Sequence, residues 1–215
     1  TARSRGLGDV YKRQMTSYFG YDPEILKASS YQFFQADEAM TAADVQALTT
    51  TTSLPGLSLI PTTPALATVE RQMTGKDGMG LRVDRALKSV TPHYDYVLLD
   101  CPPVLGVLMI NALAASEKLV IPVQTEFLAL KGLERMVRTL EMVQKARPKK
   151  LDVTVVPTMF DRRTQASVSS LNSLRKYYPS QLWRSAVPVD TSLRDASKLG
   201  VVPTVHNPDG RAVRA

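Results

Sequence analysis

The stretch Tyr94-Asp95-Tyr96-Val97-Leu98-Leu99-Asp100-Cys101-Pro102-Pro103 constrains the fold more than any other part of the chain. Tyr96 to Leu99 is a short run of aromatic, β-branched and leucine residues without polar alternation, the pattern of a strand buried on both faces inside a parallel sheet. The run ends in a carboxylate. In open α/β sheets ligands sit outside the carboxyl ends of the strands, so Asp100 stands where a metal or a phosphate binds, or where a carboxylate caps the next helix. Neither proline of Cys101-Pro102-Pro103 can donate an amide hydrogen, and each pushes its predecessor towards extended backbone. A rigid loop is therefore expected beside the carboxylate.

The rest of the chain repeats the theme of helices followed by a strand, which indicates a parallel sheet covered on both faces. Leu57-Ser58-Leu59-Ile60 before Pro61 reads as a strand, and Thr49 to Ser53, running into Leu54-Pro55-Gly56, as a loop. Helices are expected over Ser29 to Gln35, Ala42 to Leu48, Ala65 to Met73 and Leu81 to Val90, with Leu66, Val69 and Met73 at helical spacing. Gly75-Lys76-Asp77-Gly78-Met79-Gly80 reads as a turn between two of them. Val104 to Ala115 is apolar on almost every side, as a deeply buried helix would be. Lys118 to Val123 reads as a strand stopped by Pro122. Phe127 to Arg147 is the longest helical run, striped by Leu130, Leu133, Val137 and Leu140. Leu151 to Val156 is a further strand, Gln165 to Tyr178 a helix with Val168, Leu171, Leu174 and Tyr178 on its apolar face. Tyr177 and Trp183 read as packing residues. A short strand is expected to end at Pro188. Asp190, Thr191 or Ser192 then caps a helix in which Ser192 and Asp195 have capping-box spacing and which Gly200 ends.

Composition narrows the function classes. The 215 residues are 44% hydrophobic and 22% charged, enough for one domain with a substantial core. No apolar run reaches the ~18 residues of a membrane span, and no leader precedes a cleavage site, so the expectation is a cytoplasmic protein. With a single cysteine, Cys101, the chain has no internal disulfide or multi-cysteine metal site. Only His93 and His206 are present and neither has metal-ligand spacing, which argues against a metal hydrolase. The formal net charge is +7, but Arg3, Arg5, Lys12 and Arg13 against Asp9 supply three of those charges within the first 14 residues. What remains is a mildly basic surface. Lys145-Ala146-Arg147-Pro148-Lys149-Lys150 either binds DNA or complements a helix C-terminus.

A hydrophobic strand, an Asp, a small residue and Pro-Pro resemble the Walker B and switch segment of the ParA/MinD family of deviant P-loop ATPases. Further segments carry the resemblance: Met15-Thr16-Ser17-Tyr18-Phe19-Gly20, Leu105 to Ala114, Val123-Gln124-Thr125-Glu126-Phe127-Leu128, Lys131 to Met136 and Val189 to Asp195. Together they are most similar to the ParA-like proteins encoded with chemotaxis and flagellar genes. The resemblance implies an α/β fold of the P-loop NTPase type, a mostly parallel sheet with helices on both faces, here missing its first β-α-β unit. Neither a G-x-x-x-x-G-K-S/T loop nor the K-G-G-x-G-K-S/T variant of this family occurs. Residues 1–14 are read as a non-native tag and 15–215 as a single truncated ATPase domain, cut before its last helix and expected to be inactive and marginally stable alone.

By the same resemblance the cofactors are ATP and Mg2+. Asp100 would hold the metal and act in catalysis. Cys101, Pro102 and Pro103 would form the switch that responds to the γ-phosphate, and Thr158, Met159, Pro188, Val189 and Asp190 would frame the base and ribose. An ordinary strand-turn-helix corner accounts for the last three without any ligand. Arg162 and Arg163 contact a partner or an anion, or are simply solvated. The family forms an ATP-bound homodimer whose hydrolysis a partner protein stimulates. Here that partner would be a chemotaxis array or another protein at the cell pole. Partition members bind DNA through arginines after the proline, where this chain has Val189 and Ser192, so DNA is a weaker expectation. The other alternative is a nucleotide-free protein-docking module.

Overall fold

Wherever apolar residues recur at helical or strand spacing over a long stretch, the expected element forms. The computed structural model describes residues 14–36, 38–73, 78–101, 104 and 106–215. The chain divides into two compact units, Thr1–Ser116 and Glu117–Ala215. Together they make an α/β protein with a parallel strand pair and covering helices.

In the first unit, α1 (Gln14–Tyr18), α2 (Gln32–Gln35) and α3 (Ala42–Ala47) precede a hairpin of β1 (Thr50–Thr51) and β2 (Ser58–Leu59). These are followed by α4 (Leu66–Met73), a 3-10 turn Met79–Leu81, α5 (Arg82–Lys88), a second 3-10 turn Thr91–His93 and α6 (Val107–Ala115). Phe33, Phe34, Val45, Val69, Val83 and Leu87 form the centre of its core. The capping box lies at Thr41, whose hydroxyl accepts from the Asp44 amide while Asp44 accepts from the Thr41 amide. Gly78 takes a φ of 76° on entering the first 3-10 turn, a left-handed backbone that glycine adopts without a Cβ clash.

Three expectations fail here. Thr50 and Thr51 are not loop but pair antiparallel with Leu59 and Ser58, because threonine suits a pleated edge and the Leu54-Pro55-Gly56 turn brings the arms together. Helix α6 starts only at Val107, leaving Val104 exposed before it; within the helix Ile110 alone is exposed, while Met109, Asn111, Ala112 and Leu113 are buried. The largest departure is at Tyr96–Leu99, which forms no strand; Tyr96 is 87% and Leu98 85% exposed. A run of strand-forming residues becomes a strand only when a neighbour supplies a ladder of N–H and C=O groups. Among the described residues none lies alongside this run.

The second unit is built on β3 (Lys118–Gln124) and β4 (Asp152–Thr158), parallel and in register from Lys118 opposite Asp152 to Gln124 opposite Thr158. Helix α7 (Phe127–Lys145) makes the crossover, and α8 (Gln165–Tyr177), α9 (Ser192–Leu199) and α10 (Pro203–His206) follow β4. Val123, Leu133, Val155 and Leu174 meet in its core, with Leu130 and Val137 packed against them, which is the stripe expected of α7. Pro122 does not stop β3, which runs on to Gln124. In a ladder alternate amides point away from the partner strand, and proline is tolerated at such a position. On the far edge of β4 the chain returns in extended form: the Trp183 amide donates to Val155 O at 2.8 Å and the Val187 amide to Pro157 O at 2.8 Å. The expected strand before Pro188 is thus reduced to single bridges at Leu182 and Pro188. Tyr177 is exposed beneath the Lys176 ammonium, 5.3 Å from its ring centroid, and is not a packing residue.

Candidate functional site

The carboxyl end of β4 collects five of the residues singled out in the sequence. Thr158 closes the strand, and Met159 follows in a left-handed conformation with φ of 54°, the one such non-glycine residue among those described. A left-handed backbone at a side-chain-bearing residue costs on the order of 1 kcal/mol and persists only where its surroundings hold it. Phe160 then turns back to bridge Pro188: its amide donates to Val187 O at 3.0 Å, and its carbonyl accepts from the Val189 amide at 3.1 Å. This one rung places Thr158 and Met159 beside Pro188 and Val189 at the mouth of the strand. Met159 is 40% exposed there.

Asp190 is held tightly. Its Oδ1 accepts from the Ser192 amide at 3.0 Å and the Ser192 hydroxyl at 2.7 Å, and its Oδ2 accepts from the Ala212 amide at 3.0 Å. These bonds, with the nearby positive charge of Arg211, hold its carboxyl down at about 2. A carboxylate offers about four lone-pair positions, so one stays open beyond these three donors. Ser192 is accordingly the first residue of α9 and not its cap, and the capping box expected with Asp195 does not form; Asp190 satisfies the helix-start amide instead. Gly200 ends α9 with φ of 67°, as its sequence position suggested.

Beside this corner Asp161 forms a fork with Arg163, Nη2 to Oδ2 at 2.8 Å and Nε to Oδ1 at 3.0 Å, while Arg163 also donates its amide to Oδ1 at 3.0 Å. The Arg163 bonds bring the Asp161 carboxyl to about 2. Both Arg162 and Arg163 are exposed, but Arg163 is engaged with its own loop. Arg211 donates to Val189 O at 3.2 Å and lends positive charge to both Asp161 and Asp190. Sequence reading missed Arg211. The one available signal was Asn207-Pro208-Asp209-Gly210, a turn sequence that does fold as a turn, with the Gly210 amide on Asn207 O at 3.0 Å.

In the first unit Asp100 is exposed in irregular backbone and accepts no hydrogen bond among the described residues. It caps no helix: α6 starts after Gly106, without a side-chain cap. Its negative charge, after burial, raises the pKa of the half-buried Cys101 thiol, which is accordingly protonated at neutral pH. A carboxylate with no hydrogen-bond donor among the described residues has the oxygen chemistry of a ligand for a hard, hydrated cation such as Mg2+, which prefers oxygen donors and retains several waters. Pro102 and Pro103, the remaining switch residues, lie outside the described residues, as do residues 1–13 of the expected tag. Among the described residues no three metal-binding side chains cluster, and no helix is long and apolar enough to cross a membrane.

Comparison with known proteins agrees with this architecture. A family model described as an AAA domain matches residues 12–153. The sporulation initiation inhibitor protein Soj of Bacillus subtilis is 36% identical over 170 residues, covering 79% of this chain and 67% of Soj. Chromosome partitioning protein ParA of Myxococcus xanthus is 33% identical over 157 residues, covering 73% of this chain and 56% of that protein. Among solved structures, cobyrinic acid a,c-diamide synthase of Mycobacterium smegmatis with bound ADP and magnesium is similar with a TM-score of 0.71 and 29% identity, covering 82% of this chain and 70% of that one. The chain thus spans between about half and two thirds of the length of these curated relatives. With the family model spanning most of the chain and Soj 36% identical over two thirds of its length, the chain belongs to the ParA/MinD family of Walker-type ATPases.

Proposed function

We propose that this chain is part of an ATP-dependent dimerisation switch that positions cellular cargo. The observation that carries the reading is the corner at the end of β4, where the Phe160 rung joins Thr158 and Met159 to Pro188, Val189 and Asp190. In this reading those residues frame the base and ribose. Asp100 takes the Mg2+ of ATP, and Cys101, Pro102 and Pro103 relay the state of the γ-phosphate. Bound Mg2+ neutralises phosphate charge and orients it for attack; the chain's own residues contribute positioning and electrostatics rather than a covalent intermediate. The ATP-bound form is a homodimer, and a partner protein triggers hydrolysis. The cargo that best suits the segments from Met15 to Asp195 is the chemotaxis array, which would concentrate the protein at the cell pole.

The test is titration of the full-length protein with ATP, with and without Mg2+. Wild type is expected to bind ATP more tightly with Mg2+, and Asp100→Asn to lose that difference while keeping its affinity for ATP alone. Equal Mg2+ dependence in the two would overturn the role of Asp100, and no binding by wild type would overturn the nucleotide reading. In the latter case the self-contained Asp190 corner favours a nucleotide-free docking module. DNA partition is the second switch reading, supported by the name of the Myxococcus relative and the exposed Arg162 and Arg194. Salt-dependent binding to random duplex DNA would distinguish it.

A further inference from the structure

Two hydroxyls lie buried directly beneath the corner, on elements that sequence separates widely. Thr125, between β3 and α7, is 5% exposed, and Ser167, in the first turn of α8, is 4% exposed. Their oxygens are 2.5 Å apart. The Ser167 hydroxyl oxygen also accepts the Asp161 amide at 3.0 Å. The Thr125 hydroxyl faces the carbonyls of Thr158 and Met159, each at 3.4 Å, and the Thr125 amide donates to Thr158 O at 3.0 Å.

Counting protons gives this cluster a direction. Each hydroxyl has one hydrogen to give. Carbonyls can only accept, so Thr125 spends its hydrogen on the Thr158 and Met159 carbonyls, shared between them. The Thr125 oxygen must then accept from the Ser167 hydroxyl, and the Ser167 oxygen accepts from the Asp161 amide. The result is a one-way chain: Asp161 N–H to Ser167 O–H to Thr125 O–H to the Thr158 and Met159 carbonyls. It starts and ends on the same loop and clamps both sides of Met159, the residue whose left-handed backbone needs holding. Neither hydroxyl is accessible enough to meet a ligand.

We propose that Thr125 and Ser167 are positioning residues: their hydroxyl relay fixes the 158–161 loop in the conformation that receives the base of the nucleotide, and so sets nucleotide affinity from beneath the site. The inference rests on the nucleotide reading above. Removing the Thr125 hydroxyl leaves the Ser167 hydrogen without its acceptor and takes the side-chain bond from Met159 O, leaving Thr158 O only the Thr125 amide, so the strained turn is held less firmly before ligand arrives. Every binding event must then re-form it.

The experiment compares ATP binding by the full-length wild type with Thr125→Val, Thr125→Ser, Ser167→Ala and, as a control, Val155→Ala. Val155 is fully buried in β4, and its backbone bonds across the sheet edge go to Gln181 and Trp183 rather than to the hydroxyl chain. Thr125→Val and Ser167→Ala are expected to weaken ATP by about tenfold, the equilibrium equivalent of one lost buried hydrogen bond. Thr125→Ser keeps the hydroxyl and should stay within about twofold of wild type. Val155→Ala should lower stability and leave affinity unchanged. Amide exchange at Asp161, measured without nucleotide, should accelerate in Thr125→Val and Ser167→Ala only. If wild type binds no ATP, the nucleotide reading fails; the exchange data still decide whether the relay holds the loop. If wild type binds and Thr125→Val matches it, or if Val155→Ala weakens binding as much, the inference is overturned. Should Thr125→Val not fold, Ser167→Ala carries the same comparison.

Discussion

Asn111 offers the sharpest test of how the first unit is held together. It lies in α6, is fully buried at 0% exposure, and bonds in three directions. Its Oδ1 accepts the Val83 amide at 3.2 Å, and its Nδ2 donates to Met79 O at 2.7 Å and Val107 O at 2.8 Å. The Val83 amide belongs to the first turn of α5, where a helix has no internal acceptor. Met79 O sits in the preceding 3-10 turn. One amide side chain therefore ties the start of α5 and that turn to α6. Asn111→Leu, which keeps the same number of side-chain heavy atoms but replaces the polar ones with bulkier methyl groups, strands the Val83 donor and the Met79 acceptor in an apolar core. Each buried, unsatisfied group costs about 1–3 kcal/mol, so stranding the two should destabilise by about 2–6 kcal/mol, a large share of the ~5–15 kcal/mol that a domain has in hand. Urea unfolding should be followed by far-UV circular dichroism, because the single tryptophan, Trp183, lies in the other unit and would report on that. Asn111→Asp sharpens the case. One carboxylate oxygen still accepts from Val83, while the other faces the Met79 carbonyl and repels it. The folded state should therefore raise the pKa of this acid, and the deficit should shrink as pH falls and the protonated oxygen donates to Met79. A loss below about 1 kcal/mol for Asn111→Leu with an unchanged slope, or a pH-independent Asn111→Asp, would refute the argument.

Three further outcomes are expected. Leu174→Ala, at a site with 0% exposure among Val123, Leu133 and Val155, should cost about 2–5 kcal/mol by leaving a cavity, read from Trp183 fluorescence against urea. Asp161 and Asp190 both have folded pKa values of about 2, below the ordinary 3.8. Their contribution is therefore complete above about pH 4 and lost as pH falls towards 2, and Asp190→Asn should flatten that acid limb in a pH series of unfolding midpoints. Met159→Gly should stabilise the second unit by about 0.5–1 kcal/mol and Met159→Val should destabilise it by more, since a β-branched residue tolerates a φ of 54° poorly; thermal unfolding of the pair gives the sign.

What the sequence revealed and what it withheld divide along one physical line. Elements long enough to carry their own apolar period were legible: α7 through Leu130, Leu133, Val137 and Leu140, β4 through Val153, Val155 and Val156, and α8 through Leu171 and Leu174. Each buries a face that repeats along the chain itself, so the pattern needs no knowledge of the partner. Tyr96–Leu99 was misread because strand propensity is half of a pair, and no residue within the run states whether a neighbour is present. The hairpin was missed for the converse reason: Thr50 and Thr51 are too short to show alternation, and their partners are set by the turn. The candidate site follows the same division. The positions Thr158, Met159, Pro188, Val189 and Asp190 were marked by the family resemblance, and the structure does gather them at the end of β4. Their working relations were not marked at all. Asp190 reaches the Ala212 amide across 22 residues, and Thr125 reaches Ser167 across 42. A hydrogen bond over such a distance leaves no period, spacing or propensity in the sequence; it is specified only by the fold that brings its ends together. Chemistry that depends on how firmly the 158–161 loop is held is thus written in Thr125 and Ser167, two residues that on their own read as an ordinary loop threonine and a helix-start serine.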